Sequence, residues 1–237
     1  MFLDFDGTLV PLAPRPQDVV VPSWVVPRLG ALTTRLGGAL AIVSGRPLAQ
    51  LDHYLAPLVL PAAGSHGAEW RDSAGRVERH DTPPPASVLE AARRLTQHDG
   101  LILETKPGGF ALHYRARPEL ESICRETLGA ALAAAPGAAS AWAWLHGHFV
   151  FELRQRGITK GVAVRRLLGQ AAFAGRLPVF VGDDQTDEDG IEAVQAAGGF
   201  GVRVGGGASQ ARYELHDVAA VGAWLANAGP APAQVGA

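Results

Sequence analysis

The chain has 237 residues, 47% of them hydrophobic and 19% charged, enough apolar material for one large domain or two small ones and not the composition of a disordered chain. Its formal charge of −2, with a pI of about 6.4 and no long basic run, argues against nucleic acid or an anionic membrane as a general partner. The single Cys124 excludes an internal disulfide, no charged-then-apolar leader opens the chain, and no apolar stretch is long enough to span a bilayer, so the sequence reads as soluble and cytoplasmic.

The first element is the apolar run Met1-Phe2-Leu3, which leads into Asp4-Phe5-Asp6-Gly7-Thr8-Leu9-Val10. Two carboxylates spaced by one residue, followed by a glycine that ends the extended path, read as a strand end carrying chemistry. In an open parallel α/β sheet that is where ligands bind. An ordinary acidic turn is the alternative. After the proline-rich segment 11–22, Ser23 reads as the cap of a helix to about Leu36, stopped by Gly37-Gly38. The buried strand Ala39–Val43 ends in Ser44-Gly45-Arg46, with Pro47 at the first turn of the next helix. A hydroxyl and free amides at a helix start suit an oxyanion. A shorter strand, Leu58–Ala63, leads to Gly64-Ser65-His66-Gly67-Ala68-Glu69.

The stiff segment Asp81-Thr82-Pro83-Pro84-Pro85 marks a boundary, beyond which the pattern changes. A helix Ala86–Gln97, strands Leu101–Lys106 and Phe110–Arg115, a helix from Pro118 to about Ala135 and a last strand Trp142–Arg154 form an insert. Gly108-Gly109 as a two-residue hairpin turn pairs Lys106 with Ala111, Glu104 with His113 and Ile102 with Arg115. Glu104, Lys106, His113 and Arg115 would then share one polar face, a solvated face being the alternative; a three-residue turn would scramble the pairing. In the last strand Leu145, Phe149, Phe151 and Leu153 alternate with Val150, Glu152 and Arg154. His146 and His148 could ligate a metal, although such a pair on one strand is more often a polar turn.

The earlier pattern returns with Gly157-Ile158-Thr159-Lys160-Gly161 and an amphipathic helix to about Phe173. Of 21 basic residues only Lys106 and Lys160 are lysines. Lys160 lies in a first helical turn, where a cation opposes the macrodipole and calls for an anion nearby. The apolar run Pro178–Val181 precedes a second acidic cluster, Gly182-Asp183-Asp184-Gln185-Thr186-Asp187-Glu188-Asp189. Capping the following helix needs one acid, whereas this many mutually repelling carboxylates call for a cation. A strand Gly199–Val204 and the turn Gly205-Gly206-Gly207 complete an α/β series, and the tail 229–237 reads as disordered. Carboxylates at two strand ends, a hydroxyl and an amine are the parts of a phosphoryl-transfer site holding Mg²⁺.

These motifs resemble those of the haloacid dehalogenase superfamily, and from Met1 to about Leu225 the chain is similar to its trehalose-6-phosphate phosphatase branch. The pieces that carry the likeness are Phe5-Asp6-Gly7-Thr8-Leu9, Val43-Ser44-Gly45-Arg46, the 64–69 segment, Ala111-Leu112-His113-Tyr114-Arg115, Lys160-Gly161 and the 182–189 cluster. The resemblance implies an α/β fold: a Rossmann-like parallel-sheet core, 1–81 and 155–228, with an inserted α/β cap, 82–154. It implies Asp4 as nucleophile forming an aspartyl-phosphate, Asp6 as general acid and base, and Ser44 and Lys160 as holders of the phosphoryl group. Mg²⁺ would be bound by Asp4, the Asp6 backbone carbonyl and Asp183, with Asp184 or Asp187 in support. Substrate contacts would come from Ser44, Gly45, Arg46, His66 and Glu69, and from Glu104, Lys106, His113, Arg115 and Glu152 of the cap.

The expected partner is a small phosphosugar, with neither nucleic acid nor membrane, and the oligomeric state is left open. The chain opens almost on the first strand, where many relatives carry a leading segment, and the turn Pro107-Gly108-Gly109 and the run His146-Gly147-His148 depart from the family pattern. Other readings are a sucrose-phosphate or mannosyl-phosphoglycerate type of phosphatase, or a non-catalytic phosphosugar sensor. A sensor should lack one of Asp4 and Asp6, and both are present. A receiver-type signalling domain would have adjacent acids and no insert.

Overall fold

The computed structural model describes residues 1–80, 82–147 and 149–227, the side chain of Pro16 apart. Asp81, His148 and the tail 229–237, on which parts of the sequence reading rest, fall outside the described residues. The described chain forms two compact units, one of Met1–Glu78 with the residues from Thr159 onward, the other Arg79–Ile158. The sequence reading sets these divisions at 82 and 154.

The first unit begins with β1 (Phe2–Leu3), α1 (Val25–Arg35), β2 (Ala41–Val43), α2 (Leu48–Leu55), β3 (Ala62–Gly64), β4 (Glu69–Arg71) and β5 (Val77–Arg79). Two capping expectations are corrected. Trp24, not Ser23, holds the N-cap position of α1, so the serine hydroxyl lies one residue out of register, and Pro47 is the N-cap of α2 and not in its first turn.

The second unit holds α3 (Ala86–Leu95), β6 (Ile102–Lys106), β7 (Gly109–His113), α4 (Glu121–Ala134), α5 (Ala138–Ala141), β8 (Trp142–Gly147) and β9 (Val150–Gln155). Its four strands form an antiparallel sheet in the order β6-β7-β9-β8. The expected register is off by two residues: Lys106 pairs with Gly109, Glu104 with Ala111 and Ile102 with His113. The turn is Pro107-Gly108, and Gly108 has φ +73°. That is the proline-then-left-handed-glycine order of a type II turn. A slip of two keeps every side chain on its face. Glu104, Lys106, His113 and Glu152 therefore do share a face, while Arg115 lies beyond β7, exposed, with its guanidinium 5.6 Å from the Phe149 ring.

The expected single strand Trp142–Arg154 is instead the hairpin β8–β9, in which Gly147 pairs with Val150. Phe149 takes φ +63°, a turn conformation that a continuous strand does not hold. Leu145 consequently lies opposite Glu152 on the polar face. Phe110, Leu112, Phe151 and Leu153 form the other face and pack with Val88 and Leu95 of α3 and Cys124 and Leu128 of α4. Each such side chain, fully buried, contributes about 1.5–3 kcal/mol. His146 pairs with Phe151 and sets its ring edge-on to it at 5.0 Å.

The chain returns to the first unit with α6 (Lys160–Leu168), β10 (Val179–Gly182), α7 (Glu188–Ala196), β11 (Phe200–Val204), β12 (Tyr213–Leu215) and α8 (Val218–Asn227). The sheet order is β12-β11-β10-β1-β2-β3-β4-β5, parallel from β12 to β3, with β4 antiparallel to β3. Strand alternation builds a core on each face. Leu3, Ile42 and Val181 point toward α1, α2 and α8, while Phe2, Ala41, Val43 and Phe180 pack with residues of α6 and α7. The parallel pairing sets Phe2 against both Ala41 and Phe180, so the chain leaves the ends of β1, β2 and β10 side by side.

Candidate active site

Asp4 is the first residue past β1, and its amide donates to the Val181 carbonyl across 2.9 Å, which fixes it against the end of β10. The loop after it folds back on itself through Gly7 N to Val10 O at 2.8 Å and Leu9 N to Phe5 O at 2.9 Å. Gly7 has φ +75°, and a Cβ there would stand 2.0 Å from Asp183 Oδ2, so the loop is pressed onto the second acidic cluster. Thr8 donates its hydroxyl to Asp183 Oδ1 at 3.3 Å.

Lys160 opens α6. Thr159 caps that helix by accepting from Val162 N at 3.2 Å. The next residue, Gly161, brings α6 against α7, since a Cβ on it would lie 2.4 Å from the Asp189 carbonyl. This packing carries Lys160 Nζ between Asp4 Oδ1 at 2.8 Å and Asp187 Oδ1 at 2.7 Å. Asp4, Lys160 and Asp187 are all buried, with at most 4% of any one exposed. The second oxygen of Asp187 accepts from the amides of Asp183 at 3.1 Å and Asp184 at 2.9 Å. Asp184 accepts from Gln185 N at 2.6 Å and caps the short turn there, so of the two acids proposed from sequence it is Asp187 that joins the buried group.

Asp4, Asp183 and Asp187 each place a carboxylate oxygen within 4.8 Å of the others. Three carboxylates share one ammonium, and the electrostatics follow. Burial and then the Asp187 charge push the Asp4 carboxyl well above the usual carboxylate range, against the pull of Lys160. Burial and Asp187 likewise push Asp183 up to about 7. Burial by itself would favour a neutral Lys160, but Asp187 and Asp4 outweigh it and hold the amine charged. Crowded hard carboxylate oxygens, with Asp4 and Asp183 held above their ordinary range, fit a small divalent cation that prefers oxygen ligands.

Ser44 follows β2 and is laced to the 64–69 segment. Its carbonyl accepts from His66 N at 2.9 Å, the Arg46 carbonyl accepts from Ser65 N at 2.9 Å, and Ser44 Oγ accepts from Arg46 N at 3.2 Å. Ser65 and His66 both take left-handed φ values, 48° and 58°. Glu69 Oε1 accepts from Leu48 N at 2.5 Å, an acid on the amide end of α2. Arg46 forms a fork on Asp6, Nε to Oδ2 at 2.6 Å and Nη2 to Oδ1 at 2.7 Å. The structure thus brings Asp4, Lys160, Asp183 and Asp187 into one cluster, and Ser44, Gly45, Arg46, His66 and Glu69 into a second, tied to the first loop through Asp6. Sequence reasoning passed over Thr8, Gln50 and Tyr54; only Thr8, beside the turn glycine, carried a signal in its position.

In the second unit, Lys106 Nζ lies 3.4 Å from Glu152 and 3.9 Å from Glu104, whose carboxylate is 3.0 Å from His113 Nε2. Burial works against ionisation of Glu104, but the His113 bond and the Lys106 charge prevail and hold its carboxyl below the usual range. No helix among the described residues is long and apolar enough to cross a membrane.

A family model described as trehalose-phosphatase matches residues 2–219. The trehalose-6-phosphate phosphatase of Escherichia coli strain K12 is 39% identical over 230 residues, covering 94% of this chain and 84% of that protein. A probable trehalose-phosphate phosphatase of Sinorhizobium fredii is 39% identical over 208 residues, covering 86% and 77%. The C-terminal domain of trehalose-6-phosphate phosphatase from C. albicans shares the fold, with a TM-score of 0.81 at 21% identity over 95% of this chain and 90% of that one. The family model spans both acidic strand ends, Lys160 and the insert, and with these relatives it settles the assignment: the chain belongs to the trehalose-phosphatase family.

Proposed function

We propose that this protein is a Mg²⁺-dependent phosphatase that hydrolyses trehalose 6-phosphate to trehalose and phosphate in the cytoplasm. The observation that carries the reading is the buried ammonium of Lys160 bridging Asp4 and Asp187, with Asp183 beside them. Asp4, Asp183 and the backbone carbonyl of Asp6 would hold the cation, with Asp187 in support; when bound it supplies positive charge to the phosphoryl oxygens.

In the first step a carboxylate oxygen of Asp4 attacks phosphorus while the bond from phosphorus to the sugar oxygen breaks, and Asp6 gives that oxygen its proton. In the second, Asp6 takes a proton from water, the water oxygen attacks the phosphorus of the Asp4 acyl phosphate, and phosphate leaves with Asp4 restored. Lys160 fixes the rotation of the Asp4 carboxylate and offsets negative charge on the transferred group, to which the Ser44 hydroxyl donates a hydrogen bond. Glu104, Lys106, His113 and Glu152 present alternating donors and acceptors of the kind that read sugar hydroxyls.

The test is phosphate release over a panel of trehalose, sucrose and glucose 6-phosphates and mannosyl-phosphoglycerate, with and without Mg²⁺. Trehalose 6-phosphate should exceed the others in kcat/KM by at least about 100-fold, the scale set by a few sugar hydrogen bonds. Comparable rates on all four would overturn the substrate assignment.

A further inference from the structure

We propose that Arg46 is a positioning residue for Asp6 and not a ligand of the phosphosugar, and this rests on the role given to Asp6 above. Both oxygens of the Asp6 carboxylate are taken by one guanidinium, at 2.6 and 2.7 Å. A planar fork on a planar carboxylate fixes the rotation of that carboxylate about two bonds, which a lysine in the same place would not do.

The guanidinium is itself held from several sides. Its Nη1 donates to Gln50 Oε1 at 3.1 Å, its centre lies 5.1 Å from the Tyr54 ring and 5.6 Å from the Phe5 ring, and those two rings stack at 5.7 Å. Its backbone is tied to Ser44 Oγ and to Ser65 N. The arginine side chain is 8% exposed and the aspartate 30%, so the buried partner orients the accessible one. The arrangement is a rigid arm reaching from the end of β2 across to the loop after β1, 40 residues apart in sequence, and it ends on the group that moves protons. Arg46 directs two of its donors at Asp6 and a third at Gln50.

A double-mutant cycle on the 237-residue chain tests this, with Arg46→Ala, Arg46→Lys, Asp6→Asn and both combinations assayed on trehalose 6-phosphate in Mg²⁺. Arg46→Ala and Arg46→Lys should each lower kcat by roughly 10–100-fold with KM changed by less than about threefold. In the Asp6→Asn background either substitution should cost less than about twofold more, because the group through which Arg46 acts is already gone. Guanidinium at millimolar concentration should restore part of the turnover of Arg46→Ala, and methylammonium should not. Arg46→Lys keeps charge and bulk, so it serves where the alanine variant loses its fold, monitored by thermal unfolding. Losses that multiply in the double variants, or a rise in KM at unchanged kcat, would place Arg46 on the substrate and overturn the proposal. An Asp6→Asn enzyme with undiminished kcat would instead remove the role of Asp6 itself, an outcome separate from the behaviour of Arg46.

Discussion

The Lys160 ammonium donates to the Asp4 carboxylate across 2.8 Å, although 156 residues separate the two in sequence. Both are buried, so the charge of each depends on the other and on Asp187. Taking one partner out of a buried ion pair costs about 3–5 kcal/mol because the remaining charge is stranded. Lys160→Met should lose stability on this scale, less whatever Asp4 and Asp183 recover by binding protons. Added Mg²⁺ should return a good part of it by replacing the missing positive charge. Urea unfolding in EDTA and in Mg²⁺ measures both, and equal stability of variant and parent in EDTA would contradict the arrangement.

The acidic cluster also sets a dependence of stability on pH. Asp183, pushed up to about 7 in the folded protein, starts from an unfolded value near 3.8. Between those values the folded state holds a proton that the unfolded state has released, so the contribution of this group to stability is present at acid pH and lost as pH rises through about 4 to 7. Each unit of such a shift is worth about 1.4 kcal/mol, and the total is a few kcal/mol. The melting temperature of the metal-free parent should therefore fall across this window relative to Asp183→Asn. Mg²⁺ should remove the difference in slope by favouring the charged form. Parallel profiles of the two proteins without metal would count against the raised carboxyl.

Gly7→Ala should be among the most damaging single-atom-group changes in the first unit. The added Cβ meets the Asp183 carboxylate, and φ +75° is strained for alanine. A loss of at least about 100-fold in kcat/KM is expected, since a displacement near 1 Å at a reacting centre costs that much. Retention of parental activity would show that the loop and the acidic cluster need not be in register.

Lys106 stands between Glu104 and Glu152 on the polar face of the second unit. If that face reads the sugar, Lys106→Ala should lower kcat/KM for trehalose 6-phosphate by about 10–1000-fold, the scale of one or two charged hydrogen bonds at about 1.5–3 kcal/mol each. Hydrolysis of para-nitrophenyl phosphate, which has no sugar, should hardly change. Equal losses on both substrates would assign Lys106 a structural role.

Much of the core was legible in sequence because the parallel strands are short apolar runs that end in chemistry. Leu3 before Asp4, Val43 before Ser44 and Gly182 before Asp183 each mark a strand end, and the sheet aligns those ends. Exposed edge elements were not legible. Val77–Arg79 is exposed at every position and Tyr213–Leu215 at two of three, so neither has an alternation to detect. The β8–β9 hairpin was read as one strand because its apolar residues alternate straight through the turn, whose mark in the sequence is Gly147, while the left-handed Phe149 shows only in the structure. Partnerships across long sequence separations were also invisible. The contacts of Arg46 with Asp6 and of Glu69 with the Leu48 amide join segments 40 and 21 residues apart, and nothing in the local sequence marks them.

The most direct test of the central claim is a rapid-quench reaction of Asp6→Asn enzyme with trehalose 6-phosphate labelled in phosphorus, followed by borohydride trapping and peptide mass spectrometry. Asp6→Asn should slow the second step more than the first, so that label builds up on the protein and the trapped residue is position 4. Label on any other residue, or steady-state phosphate release at the parental rate with no labelled protein, would contradict attack by Asp4.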